Sequence, residues 1–246
     1  MKRLFLSITK GEEIRFLGHL DFLRTLERAI QRAALPVAFS EGFNPHMRFA
    51  LDAALGVGVA ADPIWLELRL SDDTFPALKV EECLAPQLLP GISIHGVMDA
   101  DMSWPKLINW FTEDCYEAEG PTCGTMSEAA LQEEVQRFNS LESFIYERVT
   151  PKKTRQMDVI PMLTAPLSMR IEGDRAYLRF SLVRSTSGTV QPKDLWKIMA
   201  ESFHVPVTPG EFVVKRTGVY HLEGGRRLTP FDIGAFPDGK QGDKKK

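Results

Sequence analysis

RFLGHLDFLRTLERAIQRAALPVAFSEGFNPHMR, residues Arg15 to Arg48, is the stretch from which the rest of this 246-residue chain is read. Phe22, Leu23, Leu26, Ala29, Ile30 and Ala33 recur at three- and four-residue steps, which predicts a helix with one apolar stripe turned toward a sheet or a second helix. Gly18 stands where the N-cap belongs, and Asp21 falls in the first turn, where a carboxylate meets the positive end of the helix dipole. Arg24, Arg28 and Arg32 fall opposite the stripe, whereas His19 falls on the stripe's own side. A solvated outer face accounts for such a row in many helices. Like charges four residues apart nevertheless cost about 0.2–0.5 kcal/mol each, and an anionic partner relieves that cost. Guanidinium forks suit phosphate better than ammonium groups do.

The Pro36 break leads through a short apolar run into Ser40, Glu41, Gly42, Phe43, Asn44, Pro45 and His46. Gly permits positive φ, Pro fixes its own φ, and Asn bonds nearby backbone, so this turn is expected to hold Asn44 and His46 in fixed directions. A tight link between two strands is the plainer reading of the same residues. The expected anion- or nucleic-acid-binding set is therefore Arg24, Arg28, Arg32, Ser40, Gly42, Asn44, His46 and Arg48. If there is catalysis, His19 and His46 are the acid–base candidates.

These residues also carry a resemblance. The run FLGHLDFLRTLERAIQRAALPVAFSEGFNPHMRF, continuing into ALGVGVAADPIWLEL, resembles the signature of the radical-SAM-linked family, a bacterial domain of unknown function. Its members occur fused behind a cobalamin-type radical SAM enzyme or as separate chains. The likeness is dense up to about residue 100 and thinner beyond, where TRQMDVIPML is the most similar piece; Gly18 departs from the small hydroxyl residue usual at its position. The resemblance implies a cytoplasmic bacterial protein with a radical SAM partner. On that reading any iron–sulfur cluster, S-adenosylmethionine or cobalamin sits on the partner and none on this chain. No activity is implied.

Composition sets the outer bounds. A net charge of -3 and a pI near 6.0 argue against a positively coated surface, so a nucleic-acid site has to be a local patch. Cys83, Cys115 and Cys123 lack the spacing of zinc or iron–sulfur sites, and they read as reduced structural thiols with no bound metal expected. The chain lacks an apolar run near the ~20 residues that cross a bilayer, and no membrane association is expected. Oligomeric state leaves no mark in the sequence.

In chain order, Leu4, Leu6 and Ile8 alternate with Arg3, Phe5 and Ser7 as a half-buried strand, and Ile64, Leu66, Leu68 and Leu70 alternate with Trp65, Glu67 and Arg69. The succession of strands and helices predicts an α+β fold of tandem ferredoxin-like units, antiparallel sheets with helices packed on one face. The expected boundaries are 1–98 for the first unit, 99–112 for a connector carrying Trp104 and Trp110, 113–223 for the second unit and 224–246 for a flexible tail. Phe5, Trp65 and Arg69, with Tyr177 and Arg179, would face outward, either stacking on unpaired bases or filling the joint between units. The basic loop PKKTR, residues 151–155, would add phosphate contacts. Three functions follow as expectations: an RNA-binding accessory module serving a radical SAM enzyme, a metal-independent endoribonuclease using His19 and His46, or an interaction subunit without nucleic acid.

Overall fold

The computed structural model describes residues 1–150, 153–185 and 188–233. In chain order its elements are β1 (Lys2–Lys10), α1 (His19–Arg32), β2 (Phe49–Leu51), β3 (Val59–Leu70), α2 (Ala77–Leu84), β4 (Ile94–Ala100), α3 (Leu107–Trp110), β5 (Glu113–Pro121) and α4 (Glu128–Asn139). There follow β6 (Ile145–Thr150), β7 (Lys153–Asp158), β8 (Ser168–Glu172), β9 (Arg175–Val183), α5 (Pro192–Ser202), β10 (Val213–Glu223), β11 (Arg226–Leu228) and α6 (Pro230–Ile233). The fold is mixed α+β and rich in antiparallel sheet. It divides into two compact units, one made of Met1–Phe111 with the described chain from Val219 to Ile233, the other of Thr112–Gly218.

In the first unit β1 pairs antiparallel with both β3 and β4, and β2 pairs antiparallel with β3. The apolar alternation fixes the register: Leu4 lies opposite Leu68, Leu6 opposite Leu66, and Ile8 opposite Ile64. These side chains form one core with Phe22, Leu26, Ala29 and Ile30 of α1 and with Val80 and Leu84 of α2. Gly18 is the N-cap of α1, as the sequence predicts. The chain leaves that helix through Ala34 in the left-handed region, φ 51°.

The other face of this sheet corrects the expectation of a half-buried strand. Phe5 and Trp65 are buried with Met98, Leu107, Trp110, Phe111 and Val219, so β1 is covered on both sides. The expected connector supplies much of that cover. The Trp104 ring lies 5.3 Å from Phe5 and 5.5 Å from Trp110, which stacks on His221 at 4.9 Å. Residues 99–111 thus belong to the first unit, because a sheet face carrying Phe5 and Trp65 needs an apolar lid. Residues 224–233, expected as flexible tail, form β11 and α6, and Phe231 packs 4.9 Å from Trp65. Residues 234–246 of that expected tail lie outside the described residues.

In the second unit β9 pairs antiparallel with β5 and β8, and the strand order is β10-β5-β9-β8. Leu131, Val135 and Phe138 of α4 and Leu195, Ile198 and Met199 of α5 are buried. Strands β6 and β7 form a separate two-stranded ribbon. Of the PKKTR loop, Pro151 and Lys152 lie outside the described residues, and Thr154 and Arg155 belong to β7. Arg170 covers the Tyr177 ring at 4.0 Å, and Arg179 donates to Glu117.

Candidate anion-binding groove

Arg48 leads the chain into β2, and its carbonyl accepts a hydrogen bond from the Arg69 amide of β3 at 2.9 Å. That pairing sets the two arginines side by side on a groove of about 340 Å3, lined by Arg48, Phe49, Ala50, Leu51, Glu67, Arg69, Lys106, Leu107 and Ile108. Three cations therefore share the lining with one carboxylate. Phe49, Leu51, Leu107 and Ile108 supply apolar wall, and the Ile108 side chain is exposed.

Beneath the groove runs a buried charge relay. Arg3 lies directly opposite Arg69 across the strands, a like-charge pairing that is unfavourable by itself. Glu67 resolves it. One carboxylate oxygen accepts from Arg3 Nη2 at 2.9 Å; the other accepts from Arg69 Nε at 3.3 Å and Nη2 at 3.2 Å. Arg3, only 1% exposed, also donates to the carbonyls of Asp101, Trp104 and Pro105. One buried guanidinium thus balances Glu67 and pins the segment that brings Lys106, Leu107 and Ile108 to the groove. The start of that segment is closed by Ser103, whose amide and hydroxyl donate to Asp101 Oδ1 at 2.7 and 2.6 Å. The Ser103 hydroxyl, then its amide, hold the Asp101 carboxyl below the usual carboxylate range.

The groove's electrostatics follow from this pairing. The Glu67 charge is met by Arg3 and Arg69, whereas among the described residues the Arg48 guanidinium donates only to the Met1 sulfur, at 3.9 Å, and Lys106 is exposed. Arg69 spends Nε and Nη2 on Glu67, which fixes the plane of its guanidinium. What the lining offers is a rigid fork flanked by two further cations, suited to an anion.

The residues expected from the sequence occupy several places. Arg48 lies in the groove, next to the turn of residues 40–46. That turn is closed by Ser40 N–H donating to the His46 carbonyl at 2.8 Å and His46 N–H donating to Ser40 Oγ at 2.9 Å. Gly42 has φ +118°, the conformation that calls for glycine, and Phe43, Asn44 and His46 are exposed on the turn. Arg24, Arg28 and Arg32 are exposed on α1, which packs on the Leu4, Leu6 and Ile8 face of the sheet, whereas Glu67 and Arg69 point to the other face. Arg24 pairs with Asp21 at 3.4 Å, and Arg32 donates to the Gln87 carbonyl at 2.5 Å. His19 lines a narrow recess with Lys10, Phe22, Leu51, Ala53, Leu55 and Ile64. The two histidines thus have different settings, one against apolar side chains and the other on an exposed turn.

Lys10 in that recess has no counterpart among the sequence expectations. It is 1% exposed, donates to the carbonyls of Arg15 and Leu17 at 3.0 and 2.8 Å, and burial draws its ammonium below the ordinary lysine range. The sequence pattern likewise assigns Glu67, Arg3 and Lys106 to no site. The available signal was the recurrence of Arg3, Glu67 and Arg69 on strand positions that alternate with the apolar ones. Among the described residues no group of His, Cys, Asp and Glu is arranged to hold a metal, and no helix is long and apolar enough to cross a membrane.

A family model described as an uncharacterized protein conserved in bacteria (DUF2344) matches residues 3–192. No curated protein matches the sequence. Among solved structures, the chain is similar to one in a Cbf5-Nop10-Gar1 complex, at 10% identity and a TM-score of 0.48, over 87% of this chain and 48% of that one. A chain of an H/ACA RNP bound to a substrate RNA containing 2'-deoxyuridine is similar at 10% identity and a TM-score of 0.45, over 87% and 47% of the two chains. A chain of the archaeal box H/ACA sRNP Nop10-Cbf5 complex is similar at 9% identity and a TM-score of 0.41, over 85% and 46%. This chain spans about half the length of each of those chains.

Proposed function

We propose, for a chain that belongs to this family of uncharacterized bacterial proteins, a non-catalytic role as an RNA-binding accessory module. The observation that carries the reading is the groove, where Arg48 and Lys106 stand beside an Arg69 held in place by Glu67. The exposed turn of residues 40–46, which precedes Arg48 in the chain, carries the Phe43 ring in solvent as a further aromatic surface. The architecture is read as tandem ferredoxin-like units. Supporting this are the order β4-β1-β3 with β2 on β3 in one unit, and β10-β5-β9-β8 in the other, each with two helices between its strands. The resemblance to the radical-SAM-linked family supplies the remaining part: a radical SAM partner that carries the iron–sulfur cluster, S-adenosylmethionine and cobalamin, while this chain presents the RNA.

The test is fluorescence anisotropy of a small structured bacterial RNA against the purified chain. Binding is expected at low salt, weakening as salt rises. Arg48→Ala combined with Lys106→Ala is expected to weaken it at least about tenfold, from two lost phosphate contacts. No binding at low salt, or a double variant that binds like the parent, overturns the proposal.

A second reading, a protein-interaction subunit, is favoured by exposed apolar side chains. Phe16, Leu20, Val57 and Phe43 are all more than half exposed, and Val57 lies beside Gly18 at the start of α1. Trp104 and Trp110 pack inside the first unit and add nothing to that surface. Retention of a radical SAM protein after nuclease treatment and high salt would favour this reading over the RNA one.

A further inference from the structure

We infer that the groove of Arg48, Arg69 and Lys106 is a seat for a phosphomonoester, the terminal phosphate of an RNA 5′ end or of a free nucleotide, and not a track for internal phosphodiesters. This deepens the RNA reading and rests on it for the RNA source alone. Charge argues for it first. The lining carries three cations, and its one acid, Glu67, is already paired with Arg3 below and Arg69 beside it. A phosphodiester brings one negative charge, whereas a monoester brings about -1.5 to -2 at neutral pH and three acceptor oxygens. A site that gathers two arginines and a lysine within one small cavity matches the second better than the first.

Shape argues the same way. About 340 Å3 lies at the low end of small-ligand pockets, enough for one nucleotide and too little for a length of backbone. Arg69, fixed through Nε and Nη2, keeps Nη1 to donate, and Arg48 and Lys106 bring the remaining donors. Phe49, Leu107 and Ile108 give a ribose or base an apolar surface next to the phosphate. The buried Arg3 holds the Lys106 segment in place, so the cations are arranged before the ligand arrives.

The experiment compares three probes on the full chain: an RNA oligonucleotide with a 5′-phosphate, the same oligonucleotide with a 5′-hydroxyl, and adenosine 5′-monophosphate. The phosphorylated oligonucleotide is expected to bind about tenfold more tightly than its hydroxyl twin, with the mononucleotide competing. Arg48→Ala and Lys106→Ala, both at partly or fully exposed positions, are expected to fold normally by circular dichroism and to erase the difference. The advantage should shrink as pH falls through about 6, where the monoester takes up a proton. If the two oligonucleotides bind equally, this inference is overturned and the RNA reading stands. If the mononucleotide binds and neither oligonucleotide does, the phosphate seat stands and the RNA reading falls. If no probe binds, both fall.

Discussion

Arg3 and Glu67 form the pair on which the groove depends, and its energetics are those of charges taken out of water. Arg3 is 1% exposed and Glu67 7%, so removing either one strands the other. Glu67→Gln is expected to lower unfolding free energy by about 3 kcal/mol, as for a broken buried ion pair, whereas Arg3→Met with Glu67→Leu should recover most of that loss. Urea unfolding of Glu67→Gln and of the double variant checks this; a double variant no more stable than Glu67→Gln would show that the two groups are not coupled. Lys10 gives a different signature. Its folded pKa is depressed by burial while the unfolded chain titrates near the ordinary value of about 10.4. Between those two values the unfolded state binds more protons, so this group makes stability rise with pH there. Below the folded value the full cost of a buried ammonium is present. Lys10→Met is expected to flatten the rise in urea midpoint between mildly and strongly alkaline pH, compared with the parent protein; an unchanged profile would contradict it.

Among the elements, those with a repeating pattern were legible in the sequence and those without one were not. The stripe of α1 and the alternation of β1 and β3 follow from side-chain period, and the structure places Leu4, Leu6, Ile8 and the α1 stripe in one core. Period does not say which side of a sheet a helix covers, so Arg24, Arg28 and Arg32 looked like neighbours of Arg48 although α1 packs on the opposite face from Glu67 and Arg69. Residues 101–111 have no period at all. Their contacts with Arg3 and Phe5 span about a hundred positions, which is why a lid read as a connector and Lys106 went unnoticed. The contrast between lid and turn is testable. Trp110→Ala should cost about 3 kcal/mol through the cavity it leaves, because Trp110 packs on Trp104, Phe111 and His221. Phe43→Ser, at a fully exposed position, should change stability by less than about 0.5 kcal/mol. Thermal unfolding separates the two, and equal losses would mean the turn is packed in solution.

Taken together, the chain is mildly acidic, and many of its arginines meet acids within their own unit. In the second unit Arg184 and Arg216 meet Asp114, Arg148 meets Asp194, and Arg175 meets Glu119. In the first, Arg15 meets Glu12 and Arg24 meets Asp21. Against that background the groove stands out for cations in excess of acid, and a net charge of -3 leaves little non-specific attraction for a polyanion. Any affinity for RNA must therefore pass through a few named side chains, and its salt dependence counts them. The deciding measurement is the slope of log affinity against log salt for a small structured RNA, in the parent chain and in Arg48→Ala/Lys106→Ala. A groove that holds phosphate predicts a slope shallower by about 2 in the variant, close to one unit for each cation removed. An identical slope in both proteins would show that these side chains meet no phosphate and would contradict the account.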